Sequence, residues 1–180
     1  MHHAVECYFD ETADAHVRSI WSRLDAEGVL SLGEVPDTFY RPHVSLAVFE
    51  TTRPELVGSE LAAVLGPAIG LRLTLGPLGF FLTKESLAFL GIVPTRRFLD
   101  IHHRTVERVK PLVEHFWPYY DIDNLVGHCT LAVGVHDHSR VAEIVAETQL
   151  PIPATVRSID VVELPSGRCA VPVAGAHSGA

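Results

Sequence analysis

Two stretches of this chain repeat one another. His43-Val44-Ser45-Leu46-Ala47-Val48 and His128-Cys129-Thr130-Leu131-Ala132-Val133 share His, Leu, Ala and Val at matching places, and Thr replaces Ser with the hydroxyl kept. The copies stand nearly half the chain apart, and a helical pattern follows each. Two copies are too few for a solenoid, which needs at least about three repeats. The repeat therefore implies two lobes facing each other, each built around one such strand.

Strand geometry gives the repeat a chemical meaning. Side chains alternate faces with period two. This places His43, Ser45 and Ala47 on one face, with Val44, Leu46 and Val48 on the other. In the second copy His128, Thr130, Ala132 and Gly134 share a face, opposite Cys129, Leu131, Val133 and Val135. The aliphatic faces belong against helices. The other faces carry an imidazole, a hydroxyl and then a small residue, which leaves room for a ligand. Either motif alone reads as an ordinary amphipathic strand with a satisfied histidine. The common spacing, face and neighbours of the pair argue against coincidence.

The remaining pattern alternates strands and helices. A strand is expected at Val5-Glu6-Cys7-Tyr8-Phe9. A helix should follow to about Glu27, capped by Thr12 or Asp14, with Val17, Ile20, Trp21 and Leu24 on one face. The His43–Phe49 strand precedes a helix that opens at Pro54, a residue suited to the first turn. Strands are expected at 71–75 and 86–93, with a short one near 80–82, and a long helix over 96–116. The Cys129–Val135 strand, a helix over 139–148 and a hairpin of 155–164 with 169–173 complete the chain, whose last seven residues read as a frayed tail. Gly/Pro-marked connections at 76–85 and 165–168 suit hairpins. The fold class is thus α+β with mainly antiparallel strands.

Bulk properties exclude several function classes. The formal net charge of −8 opposes binding of a long duplex, which rests on many Lys and Arg contacts to phosphate. Three cysteines, odd in number and without a CxxC pair, argue against a disulfide framework or a thiolate zinc site, and read as three buried reduced thiols. No apolar run approaches the roughly 20 residues that span a bilayer, and the N-terminus lacks the order of a signal peptide. A monomeric cytoplasmic protein without a membrane partner is expected.

The two H-x-[S/T]-hydrophobic motifs, about half a chain apart, resemble those of the 2H phosphoesterase superfamily, which includes 2′-5′ RNA ligase-like proteins and 2′,3′-cyclic phosphodiesterases. Pro42-His43-Val44-Ser45-Leu46 fits the first motif closely. The second fits at His128 and Thr130, with Gly127 where a proline is common. The resemblance implies a single domain over residues 1–180 made of two intertwined lobes. These are related by a pseudo-twofold, each a sheet with helices on its outer face, and a central cleft lies between the sheets.

It also implies a metal-independent enzyme without a cofactor, acting on a small nucleotide or RNA end in RNA processing. Opening a cyclic phosphodiester needs a base for the attacking water and an acid for the departing ribose oxygen. Histidine, with an ordinary pKa of about 6.5, suits both roles. His43 and His128 are the expected catalytic pair. Ser45 and Thr130 would donate hydrogen bonds to the non-bridging oxygens, and Tyr40 and Arg41 are candidate substrate contacts. A nucleotide-binding module without turnover and a 2′-5′ RNA ligase-type activity are the alternatives.

Other polar clusters carry plainer readings. His136-Asp137-His138 offers metal-ligand types, but Asp137 or Ser139 as a helix cap explains it better. His102 falls on the apolar stripe between Phe98 and Val106 and reads as a hydrogen-bonded core histidine. Phe39 is a packing or lid residue, with base stacking as its other use. Trp117-Pro118-Tyr119-Tyr120 reads as a packed helix end leading towards the second motif, with lining of the cleft as its other use. A zinc hydrolase is disfavoured because no HExxH or comparable spacing occurs among the 11 histidines.

Overall fold

The computed structural model describes residues 1–175. Eight strands and four α-helices alternate in the order β1 (His2–Phe9), α1 (Glu11–Ala26), β2 (His43–Glu50), α2 (Pro54–Leu65), β3 (Arg72–Phe81), β4 (Leu87–Ile92), α3 (Arg96–Val109), β5 (His115–Phe116), β6 (His128–Ala132), α4 (His138–Ala146), β7 (Ile152–Leu164) and β8 (Cys169–Gly175). Every strand pairing among the described residues is antiparallel. No described helix is long and apolar enough to cross a membrane.

Several elements differ from the sequence expectation for definite reasons. α1 is capped by Asp10, whose side chain accepts from the Ala13 amide, in place of Thr12 or Asp14. The helix expected to reach Phe116 ends at Val109. Pro111 supplies no amide donor and breaks the ladder there, which frees His115 and Phe116 to pair with the outer edge of β2. The strands expected at 71–75 and 80–82 are one strand, β3, which carries Gly76-Pro77 across a register shift between Leu75 and Leu78. A bulge is where a strand tolerates proline. Ala174 and Gly175, expected in the tail, belong to β8; the rest of that tail lies outside the described residues.

The strand path runs β5-β2-β1-β7-β3-β4-β6, with β8 also on β7. β7 has three partners. Ile152–Thr155 pairs with β3, and the remainder pairs with β1 on one edge and β8 on the other. In a flat sheet the motif strands β2 and β6, five spacings apart, would be separated by roughly 24 Å. They instead line one cavity, and the His43 backbone amide hydrogen-bonds the Cys129 sulfur. The sheet therefore bends back on itself.

The main core lies between the sheet and the helices and takes Val5, Cys7 and Phe9 from β1, with Ile20, Leu24 and Leu61 from α1 and α2. A smaller cluster of Ala4, Tyr8, Val48 and Val162 fills the opposite face. Each motif strand bulges at the same place. Ser45 and Ala47 pair with adjacent residues of β1, leaving Leu46 as the extra residue; Thr130 and Ala132 pair with adjacent residues of β4, leaving Leu131 extra. The bulges overturn strict alternation. Ala47 and Ala132 turn into the helix-side core, and Val48 and Val133 line the cavity.

Candidate active site

Strands β1, β2 and β6, together with the turn at 118–120, enclose a cavity of about 170 Å³ lined by Glu6, His43, Ser45, Tyr120, His128 and Thr130 among others. All four motif side chains thus meet in one space. Tyr40 also lines it and stacks on the His43 ring, centroids 6.0 Å apart at 25°. Arg41 is placed differently: its guanidinium lies 4.0 Å over the Tyr8 ring.

The two imidazoles are held alike. His43 Nδ1 lies 2.6 Å from the Arg41 carbonyl oxygen, and His128 Nδ1 lies 2.7 Å from that of Val126. A carbonyl can only accept, so each Nδ1 carries hydrogen. Nε2 is therefore the atom each ring offers to a ligand. The latch spans Pro42 in one copy and Gly127 in the other, so the missing proline does not disturb it. At Gly127 a Cβ would sit 3.0 Å from the Phe98 ring, and glycine suits the close approach.

Their surroundings differ. His43 Nε2 is 3.3 Å from Glu6 Oε1, and the Tyr8 hydroxyl donates to Glu6 Oε2 at 2.7 Å. Burial raises the Glu6 carboxyl above its usual value, against the pull of His43, Tyr8 and Arg41. Burial also raises the Tyr8 phenol. His128 instead meets the Phe81 ring edge-on at 4.9 Å and the Phe89 ring at 5.3 Å. Burial lowers its pKa, and the charge of His43 lowers it further. Gly79, opposite Phe89 on β3, lets that ring lie against the backbone, since a Cβ there would be 2.5 Å from it.

Tyr120 joins the site from the 118–120 turn. Its hydroxyl hydrogen-bonds that of Ser45, and burial pushes its phenol up to about 12. Its carbonyl accepts from His102 Nε2 at 2.9 Å, so His102 is a bonded core histidine. Asp137 caps α4 through the Arg140 amide. Phe39 is 54% exposed beneath the Arg168 guanidinium, 4.1 Å away, in place of a packed core position. Cys7 and Cys129 are buried, but Cys169 is exposed because it opens the edge strand β8.

Glu6, Tyr8, Phe81 and Phe89 did not emerge as site residues from the sequence, and of the 117–120 stretch it is Tyr120 that lines the cavity. A signal existed for the first two. Glu6 and Tyr8 share a face of an otherwise apolar strand, and a carboxylate there must find a partner.

The family model described as the 2′-5′ RNA ligase superfamily matches residues 9–168. The chain belongs to this superfamily. It is the 2H phosphoesterase superfamily, so membership supports an enzyme of the phosphoesterase or ligase kind. Curated proteins give no match. The superfamily match covers both motif strands, and His43, Ser45, His128 and Thr130, which carried the resemblance, all line the cavity.

Proposed function

We propose that the protein is a metal-independent phosphoesterase that opens a cyclic phosphodiester, a 2′,3′-cyclic phosphate of a small nucleotide or RNA end, with His43 and His128 as its acid–base pair. One observation carries this reading: two histidines from strands remote in the sheet path meet in one cavity, each with Nδ1 tied to a carbonyl, so that Nε2 is the nitrogen available for proton transfer, that of His43 beside Glu6. In the mechanism one Nε2 removes a proton from the attacking water while the other protonates the departing ribose oxygen. Each transfer contributes roughly 10²–10⁴-fold. Ser45 and Thr130 donate to the non-bridging oxygens, where charge builds in the transition state.

Cavity size favours a phosphate end. About 170 Å³ is less than the roughly 300–1,000 Å³ of sites that enclose a drug-sized ligand. The phosphate and the near edge of the ribose enter, and the base stays at the rim. The matched bulges after each histidine support a single domain of two pseudo-twofold-related lobes, one presenting His43 and the other His128.

The test is a substrate panel on the purified protein: 2′,3′-cyclic nucleotides, linear 2′-5′ dinucleotides and ADP-ribose cyclic phosphate, with and without EDTA. Turnover of a cyclic phosphate unaffected by chelator is expected. Joining of ends without hydrolysis would establish the ligase reading, binding without turnover a nucleotide-binding module, and loss of activity in EDTA a metal enzyme.

A further inference from the structure

We propose that Glu6 is a positioning residue that keeps the site's proton on His43, so that His43 is the acid and His128 the base. The proposal rests on the two-histidine reading above and removes its symmetry. His43 faces an acceptor at both nitrogens: the Arg41 carbonyl at Nδ1 and the Glu6 carboxyl, 3.3 Å away, at Nε2. With Nδ1–H fixed, a neutral imidazole would turn its Nε2 lone pair on a carboxylate. A proton at that contact resolves the clash, and His43 as imidazolium satisfies both sides.

Burial opposes an ionised Glu6, and the groups around it work for and against that charge. The Tyr8 hydroxyl donates to Glu6 Oε2, and the Arg41 guanidinium rests on the Tyr8 ring; both favour the carboxylate. Asp160 is Glu6's partner on β7 and opposes a second negative charge. Cys7 on the same strand, and Tyr40, Tyr120 and Cys129 from other elements, have their ionisation pushed up by burial and by the Glu6 charge, and stay neutral. Cys169 of β8, also held neutral, answers to Asp160 and Arg41. His128 is the remaining cation-forming group, and it touches Phe81 and Phe89 where His43 touches Glu6.

The 3.3 Å separation matters as well. A fully committed charge-assisted hydrogen bond spans about 2.7–2.9 Å. At that length the Nε2–H can be shared between Glu6 and a ligand oxygen while Nδ1 stays in its latch. In the reaction His128 Nε2 takes a proton from water as the water oxygen bonds to phosphorus. The bond from phosphorus to the ribose oxygen breaks, and that oxygen's electron pair takes the proton from His43 Nε2. Afterwards His128 is charged and His43 neutral, and exchange with solvent restores both.

The experiment is a ¹⁵N titration of both imidazole rings in the substrate-free protein, for the wild type and Glu6→Gln. In the wild type His43 should keep its proton to higher pH than His128. Glu6→Gln should lower the His43 titration by about one pH unit or more, a roughly tenfold loss of proton affinity, and erase or reverse that order. A packing role alone would leave the order intact. Equal titrations in the wild type, or His128 holding its proton longer, would overturn the proposal, and this reading needs no variant to fold. An unmoved His43 in folded Glu6→Gln would overturn it too. If the titrations come out as expected while His43→Ala and His128→Ala retain full turnover, the two-histidine mechanism is wrong and the Glu6 pairing stands.

Discussion

The two motif strands hold the same histidine in the same latch and surround it with opposite chemistry. Around His43 stand a carboxyl, a phenol and a guanidinium packed on that phenol's ring; around His128 stand two phenyl rings. The latch, the hydroxyl two residues on and the bulge are common to both. The repeated sequence thus sets geometry. The unrepeated neighbours on β1, β3 and β4 set the electrostatics, and an acid–base pair needs its two members to differ.

The largest effects should come from removing either histidine. His43→Ala and His128→Ala are each expected to lower kcat by at least about 10²-fold with the fold intact. The double variant should be little worse than either single one, because the two act as a unit. Single variants whose losses multiplied in the double would mean that each ring acts alone. Next come the hydroxyls. Ser45→Ala and Thr130→Val should cost roughly 10- to 10³-fold, the range for a lost transition-state donor, and Thr130→Ser should be mild. The two motif strands differ here as well, since the Ser45 hydroxyl is tied to Tyr120. Tyr120→Phe should weaken turnover through Ser45 and do nothing further in a Ser45→Ala background; additive losses in kcat would sever that link.

The contrast between local repeat and remote neighbours also governs what was legible in the chain alone. His43, Ser45, His128 and Thr130 were legible because a repeated motif is a local pattern. The bulges were not, because a bulge is defined by the partner strand: Leu46 is extra only against Val5 and Glu6, and Leu131 only against Ala88 and Phe89. Glu6 was hidden for a similar reason. Its role depends on β1 lying beside β2, a long-range pairing. The end of α3 was legible in principle. Pro111 is a local stop signal, and the apolar residues beyond it, Val113 and Phe116, disguised it by continuing the stripe.

A pH profile tests the same asymmetry with a moderate effect. kcat/KM should be bell-shaped. His128 has its pKa lowered by burial and by His43's charge, so the limb on which the base is lost should fall below the free histidine value of about 6.5. The two apparent values belong to the pair. EDTA should leave the curve unchanged. A profile that rises steadily to about pH 9 and vanishes with chelator would point to metal-bound hydroxide and end the comparison of two histidines as acid and base.

The smallest expected effect is on stability, and Glu6 and His128 should make it respond to pH with opposite sign. The Glu6 carboxyl is raised in the folded protein by burial. Its favourable contribution is then fully present below its unfolded value and lost as pH rises through the folded one. Above its folded value the fold carries an ionised Glu6, which costs about 1.4 kcal/mol for each tenfold weakening of its acidity on folding. His128 is lowered by burial. Its contribution is present above about 6.5 and lost as pH falls through the folded value. Thermal unfolding of Glu6→Gln should therefore give a higher Tm than wild type at about pH 8, a gap that closes below about pH 4. His128→Gln should lessen the decline of Tm as pH falls below about 6.5. It will not abolish that decline, because burial also lowers His3 and His102, which titrate in the same direction. A Glu6→Gln protein less stable than wild type at about pH 8 would mean that the carboxylate is held for packing and not at a cost, and the two sides of the cleft would then differ less than their neighbours imply.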